Sequence, residues 1–249
     1  MPSGPSVNVR QFVLPKGGLG PEECEDALAF DADSLRFALA DGATEAFDAR
    51  RWATRLAETW VGAKGPPLAA REFGEWLAEQ GRWLRASWEG RKLSWYAEEK
   101  RRAGSFAAFV GLRLDARASC WEAVALGDSC LVQVRGGRVL AAVPVSTHEA
   151  FNSAPPLVPS NESARESALS RLVTARGGTA AGDTFLLMSD ALSAWYFESQ
   201  AKGDGRAAQF DSLLAASENE SLARLVRDER GSRRMKDDDV AAIRVRLEG

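Results

Sequence analysis

The order in which hydrophobic periodicity changes along this chain of 249 residues constrains its fold more than any other feature. Residues 9–14, 27–30 and 35–40 are short apolar runs. Pro15, Gly17 with Gly18, and the stretch Asp31 to Ser34 bound them, as expected of strands joined by turns. The period then becomes helical. Trp52, Leu56 and Trp60 recur every fourth residue, and Phe73, Trp76, Leu77, Trp83, Leu84 and Trp88 continue the stripe after Pro66 and Pro67. Tryptophans at that spacing are expected in the core. Strand patterns return at 106–114, 120–126, 131–134 and 139–145 with short turns between, which predicts an antiparallel meander. Residues 146–167, rich in Ser, Asn, Pro and Glu, read as a long loop. A buried strand at 184–188, a helix from Ser189 to about Gln200, one or two helices within 210–226 and a strand at 240–247 follow. Helices with one apolar face must bury it on a sheet, so the expected class is α+β, layered, in a single domain over 1–249.

Composition narrows the function classes. With 45% apolar and 27% charged residues and a net charge of −3, the chain is neither disordered nor equipped with the basic stripe of a nucleic-acid binder. Cys24, Cys120 and Cys130 form no CxxC pair, which argues against a disulfide framework and a thiolate zinc site. His148 is the only histidine, so Ser-His or Cys-His chemistry would hang on one loop residue. No run has signal-peptide character or the length of a membrane span; the expectation is a cytoplasmic protein with no membrane partner.

Acidic residues recur where apolar strands begin or end. Glu25 and Asp26 precede the run 27–30, Asp41 and Gly42 follow 37–40, Gly127 and Asp128 follow 123–126, Asp190 follows 185–188, and Asp237, Asp238 and Asp239 precede the last strand. Singly, each is explained by an Asx turn or a helix cap. Jointly, strands could deliver them to one edge. Two carboxylates about 4 Å apart repel by roughly 4 kcal/mol at an effective dielectric near 20, so a converged set must share protons or bind cations. Oxygen ligands without His or Cys suit Mg²⁺, Mn²⁺ or Ca²⁺ and disfavour Zn²⁺. The residues alone thus point to a hard-metal hydrolase.

Taken in order, over residues 22–249, these motifs resemble the metal-dependent protein phosphatases, the type 2C serine/threonine class. Glu25 with Asp26 is similar to the first family motif, and Asp41 with Gly42 to the second. Gly104 with Ser105 looks like its Gly-Ser-Thr position, and Gly127, Asp128 and Ser129 like its Gly-Asp-Ser turn. Gly182 with Asp183, then Ser189 with Asp190, resemble the run into its Ser-Asp-Gly, and Asp238 with Asp239 its terminal Asp-Asn. The resemblance implies an α-β-β-α four-layer sandwich of two antiparallel sheets flanked by helices, with two Mg²⁺ or Mn²⁺ ions between the sheet edges. Asp41 would bridge both ions, Asp190 and Asp238 would complete one, and Glu25 with the Gly42 carbonyl would serve the other. Asp26 would hold metal-bound water, and Asp128 would support a third, weaker ion found in some members. The implied reaction is hydrolysis of phosphoserine or phosphothreonine in a protein substrate by a metal-bridged water, with Asp41, Asp190 and Asp238 as its catalytic residues.

The sequence also departs from that family. Members often carry an Arg shortly before the first acidic motif; residues 15–24 offer only Lys16, which lacks the two-pronged donor set. The second motif continues Ala43, Thr44, Glu45, with no Gly pair and no His; Ala191 replaces the Gly after Asp190, and Asp239 replaces the final Asn. Thr44 and Glu45 are expected to line the site, with first-turn helix chemistry as the alternative for Glu45. Asn152, Ser153 and Asn161 are candidates for substrate contact. Two rival functions stand beside the phosphoprotein phosphatase: a binding or regulatory module on the same fold, and a phosphatase of small phosphomonoesters.

Overall fold

Side chains along β3 (Arg36–Gly42) alternate between two destinations, and that alternation builds the layers. Phe37 and Leu39 point into a core shared by two sheets, while Ala38 and Ala40 face a second core made with helices. The computed structural model describes residues 6–62, 68–151 and 154–248; Pro66, Pro67, Asn152 and Ser153 lie outside the described residues. One sheet orders β1 (Val7–Leu14), β11 (Val240–Leu247), β10 (Thr184–Met188), β6 (Cys130–Arg135) and β7 (Arg138–Val143). The other orders β2 (Asp26–Asp31), β3, β4 (Phe106–Asp115), β5 (Cys120–Leu126) and β9 (Val173–Gly178), with the short β8 (Val158–Pro159) paired to β4. All pairings are antiparallel.

Phe37, Val110, Leu112, Trp121, Phe185, Leu187 and Ile243 fill the space between the sheets. Outside the second sheet, α1 (Ala49–Gly62) and α2 (Ala70–Ala86) bury Trp52, Leu56, Trp60, Phe73, Leu77 and Leu84. Outside the first, α5 (Asp190–Lys202), α6 (Arg206–Ala215) and α7 (Asn219–Gly231) bury Leu192, Trp195, Phe210, Leu214 and Leu222. The four-layer α-β-β-α sandwich is therefore present. Small residues on β3 and β4 let α1 approach closely: a Cβ on Gly111 would lie 2.4 Å from the Trp60 ring.

Four strands from 106 to 145 do not form the expected meander. β4 and β5 pair in one sheet, β6 and β7 in the other. The chain changes sheet at Gly127, whose φ of +119° and close approach to Ala108, 2.4 Å from the position of a Cβ, admit only glycine. Trp83 is not core: it is 38% exposed, and the Arg55 and Arg51 guanidinium groups stack on its ring at 4.3 and 5.0 Å. Nor is 146–167 structureless. It contains a 3₁₀ turn (His148–Ala150), β8, which the Trp52 indole fastens by donating to the Val158 carbonyl at 2.9 Å, and the start of α4 (Arg165–Leu169). β9 and α3 (Trp95–Ala103) escape sequence patterning for physical reasons. β9 is a half-exposed edge ending in two glycines, and α3 buries none of its side chains, so neither writes an apolar stripe. Among the described residues no helix is long and apolar enough to cross a membrane.

Candidate metal centre

Pairing register sets the first contact of the site. Asp26 opens β2 and lies directly opposite Asp41 near the end of β3. Asp26 is 8% exposed, and neither of its carboxylate oxygens has a hydrogen-bond partner. Burial pushes its carboxyl well above the usual range, and the charges of Asp239 and Asp190 push it further. Burial does the same to Asp41, with the charges of Asp26, Asp190, Asp128 and Asp238 adding to it. Carboxylates from five segments of the chain thus lie within electrostatic reach of one another.

The second sheet edge supplies the others. Ser189 ends β10 by exchanging bonds with Ala241 of β11: its N–H donates to the Ala241 carbonyl at 3.1 Å and its Oγ accepts from the Ala241 N–H at 3.0 Å. This clamp puts Asp190, at the first turn of α5, beside the Asp238 segment. Lys236 joins the two, its ammonium 2.5 Å from Asp238 and 3.3 Å from Asp190. Burial opposes the charge on Lys236, but these contacts outweigh it and hold its pKa above the ordinary lysine value. Asp128 follows the glycine that changes sheets. Burial and the Asp190 charge raise its pKa to about 6. A cleft of about 540 Å³ runs along this wall, lined by Asp128, Asp190, Lys236, His148, Phe151 and Trp195 among others.

Glu25 completes the acidic set. Its pKa is raised by burial and lowered by Thr44 and Lys16, and the Lys16 ammonium lies 3.5 Å from the Thr44 hydroxyl. Asp239 holds this corner together, accepting from the Lys16 and Glu25 N–H groups at 2.8 Å each, one per carboxylate oxygen. An Asn amide would offer only one acceptor for two donors, which explains the acid at this position. The Gly42 N–H donates to the Glu25 carbonyl at 3.2 Å, so the two acidic motifs are stapled through backbone. Gly42 is also tightly enclosed; a Cβ there would lie 3.0 Å from Glu25 and Ala49 backbone atoms.

No protein-family model matches the sequence, and no curated protein does. Solved structures do. The serine/threonine phosphatase PstP/Ppp of Mycobacterium tuberculosis aligns with a TM-score of 0.65 at 17% identity, covering 98% of this chain and 99% of that one. The catalytic domain of PstP in complex with two manganese ions gives 0.63 at 16% identity, covering 98% and 100%. The PPM Ser-Thr phosphatase MsPP of Mycobacterium smegmatis, in complex with cacodylate, gives 0.60 at 14% identity, covering 96% and 98%. The fold is that of the PPM phosphatases.

In this PPM fold the expected ligands Glu25, Asp26, Asp41, Gly42, Asp128, Asp190 and Asp238 come from both sheets to one edge. They do not form a finished cage: among the described residues no three His, Cys, Asp or Glu side chains close around one point. The donor chemistry nevertheless fits a hard divalent ion, because the set is all oxygen and Asp26 is buried with both oxygens orphaned. Cys24 and Cys130 add no soft ligand, since burial pushes each thiol up to about 12.

Other expectations change. Asn161 is spent on structure, donating to the Ala103 carbonyl and accepting from the Ala164 N–H. Glu45 precedes α1 and pairs with Lys100 of α3 at 3.1 Å, so it is not first-turn helix chemistry. Asp183 is wholly buried away from the acidic edge, held by Arg135, Gln133 and the Ala180 N–H. Ser105 is also structural: it donates to the Phe47 carbonyl and pins the segment after Gly42. Sequence patterning missed Lys236 and Arg230, and it marked His148 as a lone loop histidine without placing it in the cleft. Arg230 is half-buried and donates to the Pro15 carbonyl at 2.9 Å and to the Asp238 carbonyl at 2.5 Å, joining two distant segments of the chain at the site. Neither Lys236 nor Arg230 carries a local signal.

Proposed function

We propose that this chain is a divalent-metal-dependent phosphatase, using Mg²⁺ or Mn²⁺, that hydrolyses phosphoserine and phosphothreonine in proteins. The observation that carries the reading is the like-charged set Asp26, Asp41, Asp128, Asp190 and Asp238, with Asp26 buried and the other four half-buried, which must hold protons or bind cations. Its setting in a PPM fold supports it, since one PstP structure of that fold holds two manganese ions.

Asp41, Asp190 and Asp238 would hold one ion, and Asp41, Glu25 and the Gly42 carbonyl another, with Asp128 beside them for a weaker third. Divalent ions at such a place polarise phosphoryl oxygens and lower the pKa of a nearby water. Asp26 takes the role of orienting the attacking water, since neither of its buried oxygens is committed to a formed hydrogen bond and only the Ser189 hydroxyl stands near them. Lys16, beside Thr44, offers the substrate phosphate a point charge where an arginine would offer a fork. Asp239 and Arg230 are positioning residues that act through Glu25 and Asp238.

The test is hydrolysis of para-nitrophenyl phosphate and of a phosphothreonine peptide, with Mn²⁺ and with chelator, by the wild type, Asp41→Asn and Asp238→Asn. Metal-dependent turnover lost in both variants is expected. The missing arginine favours one rival: manganese binding without turnover of either substrate would make the chain a phosphoprotein-binding module. Turnover of the small ester alone would make it a metabolite phosphatase.

A further inference from the structure

Lys236 touches two carboxylates assigned above to one ion. An ammonium and a divalent cation therefore claim the same oxygens of Asp190 and Asp238. The root of this lysine is fixed. Arg234 donates to both oxygens of the buried Glu229 at 2.7 and 2.9 Å, and Glu229 also accepts from the Trp195 indole at 2.8 Å. The Met235 N–H donates to the Glu229 carbonyl at 3.2 Å, and the Asp238 N–H donates to the Lys236 carbonyl at 3.1 Å. Only those two carboxylates hold its tip: the side chain is 64% exposed and lies along the cleft wall with Asp128 and Asp190. A cation on a fixed root with an exposed side chain can leave the oxygens without leaving the cleft.

Electrostatics gives the exchange a direction. Without an added ion, Asp190 and Asp238 attract the ammonium. Once a divalent ion takes their oxygens, the ammonium meets a net positive centre and is repelled. The negative charges left within its reach are then Asp128, on the same cleft wall, and the substrate phosphate. We infer that Lys236 is an exchangeable counter-ion, neutralising Asp190 and Asp238 in the metal-free protein and, once displaced, serving as a ligand of the substrate phosphate. The inference rests on the metal-dependent reading of the site.

The experiment has two readouts, neither of them turnover. The full chain is titrated with Mn²⁺ by calorimetry, and the manganese-loaded protein is then titrated with inorganic phosphate. Lys236→Gln should bind Mn²⁺ about two- to fivefold tighter, the scale of a largely exposed ion pair no longer competing. Lys236→Arg should keep the wild-type affinity. Lys16→Gln should gain less, because it removes an ammonium that contacts a hydroxyl instead of those oxygens. Manganese-loaded Lys236→Gln should bind phosphate about tenfold more weakly, as for loss of a charged hydrogen bond. A purely structural role would weaken both ligands together. Equal or weaker Mn²⁺ binding by a folded Lys236→Gln overturns the exchange, and unchanged phosphate binding overturns the substrate role. Lys236→Ala repeats the measurement should the Gln variant fail to fold. If the wild type and every Lys236 variant bind no Mn²⁺, the metal reading itself is refuted; if the wild type binds and Lys236→Gln is no tighter, only the exchange is.

Discussion

Replacing Asp26 by Asn should stabilise the metal-free protein and weaken its response to manganese. Asp26 stands directly across from Asp41 on neighbouring strands, a pairing that sets side chains about 5 Å apart. Two full charges at that distance repel by roughly 3 kcal/mol at an effective dielectric near 20. The protein relieves the repulsion by holding protons: burial, then the neighbouring charges, raise both carboxyl pKa values well above the usual range. A group with a raised folded pKa binds protons more readily folded than unfolded. Stability of the metal-free protein therefore falls as pH rises from the ordinary carboxylate range, near 4, through the folded value. The benefit of Asp26→Asn should be small at pH 5 and about 1–3 kcal/mol at pH 8. For a chain of this length that is roughly 3–8 °C in Tm. Urea unfolding in chelator at the two pH values measures it, and repeating the series in Mn²⁺ should stabilise the wild type more than the variant. Destabilisation at pH 8, or a gain as large at pH 5, would refute the reasoning.

Three further outcomes follow from the geometry. Asp239→Asn should cost about 1–2 kcal/mol in chemical denaturation and weaken manganese binding, because one of the Lys16 and Glu25 N–H groups loses its acceptor. Gly127→Ala should cost roughly 3 kcal/mol or more and lower soluble yield, since the added Cβ meets Ala108 at 2.4 Å in a conformation that disfavours side chains. Asp183→Asn should cost about 3 kcal/mol at pH 7 and progressively less as pH falls below about 4. Burial would raise this carboxyl, but Arg135 and its other partners outweigh burial and hold it low, so its stabilisation is present above about pH 4 and lost as pH falls through the lowered value. A pH-independent cost would count against that assignment.

Much of the layered fold was legible because its signals are local. The alternation in β3 and the every-fourth-residue tryptophans of α1 state which face is buried before any partner is known. Elements without a buried face, α3 and the edge strand β9, left no such mark. Acidic residues at strand ends were equally visible, yet the pattern could not sort them. Asp183 and Asp190 occupy similar positions around the same strand; one is buried and paired with a half-exposed arginine, and the other faces the cleft.

By itself the sequence determined the kind and order of those elements that bury a face, and the placing of carboxylates where strands start and stop, because these depend on residues a few positions apart. The tertiary structure alone decided that Asp26 faces Asp41, that the chain changes sheets at Gly127, and that Lys236 reaches Asp190 and Asp238. It likewise brought Arg230 onto the backbone beside Pro15, and His148 into a cleft with Asp128. Such contacts depend on strand register and on the closing of two sheets over one core, free-energy terms that sum over the whole molecule and leave no trace in any short stretch of chain.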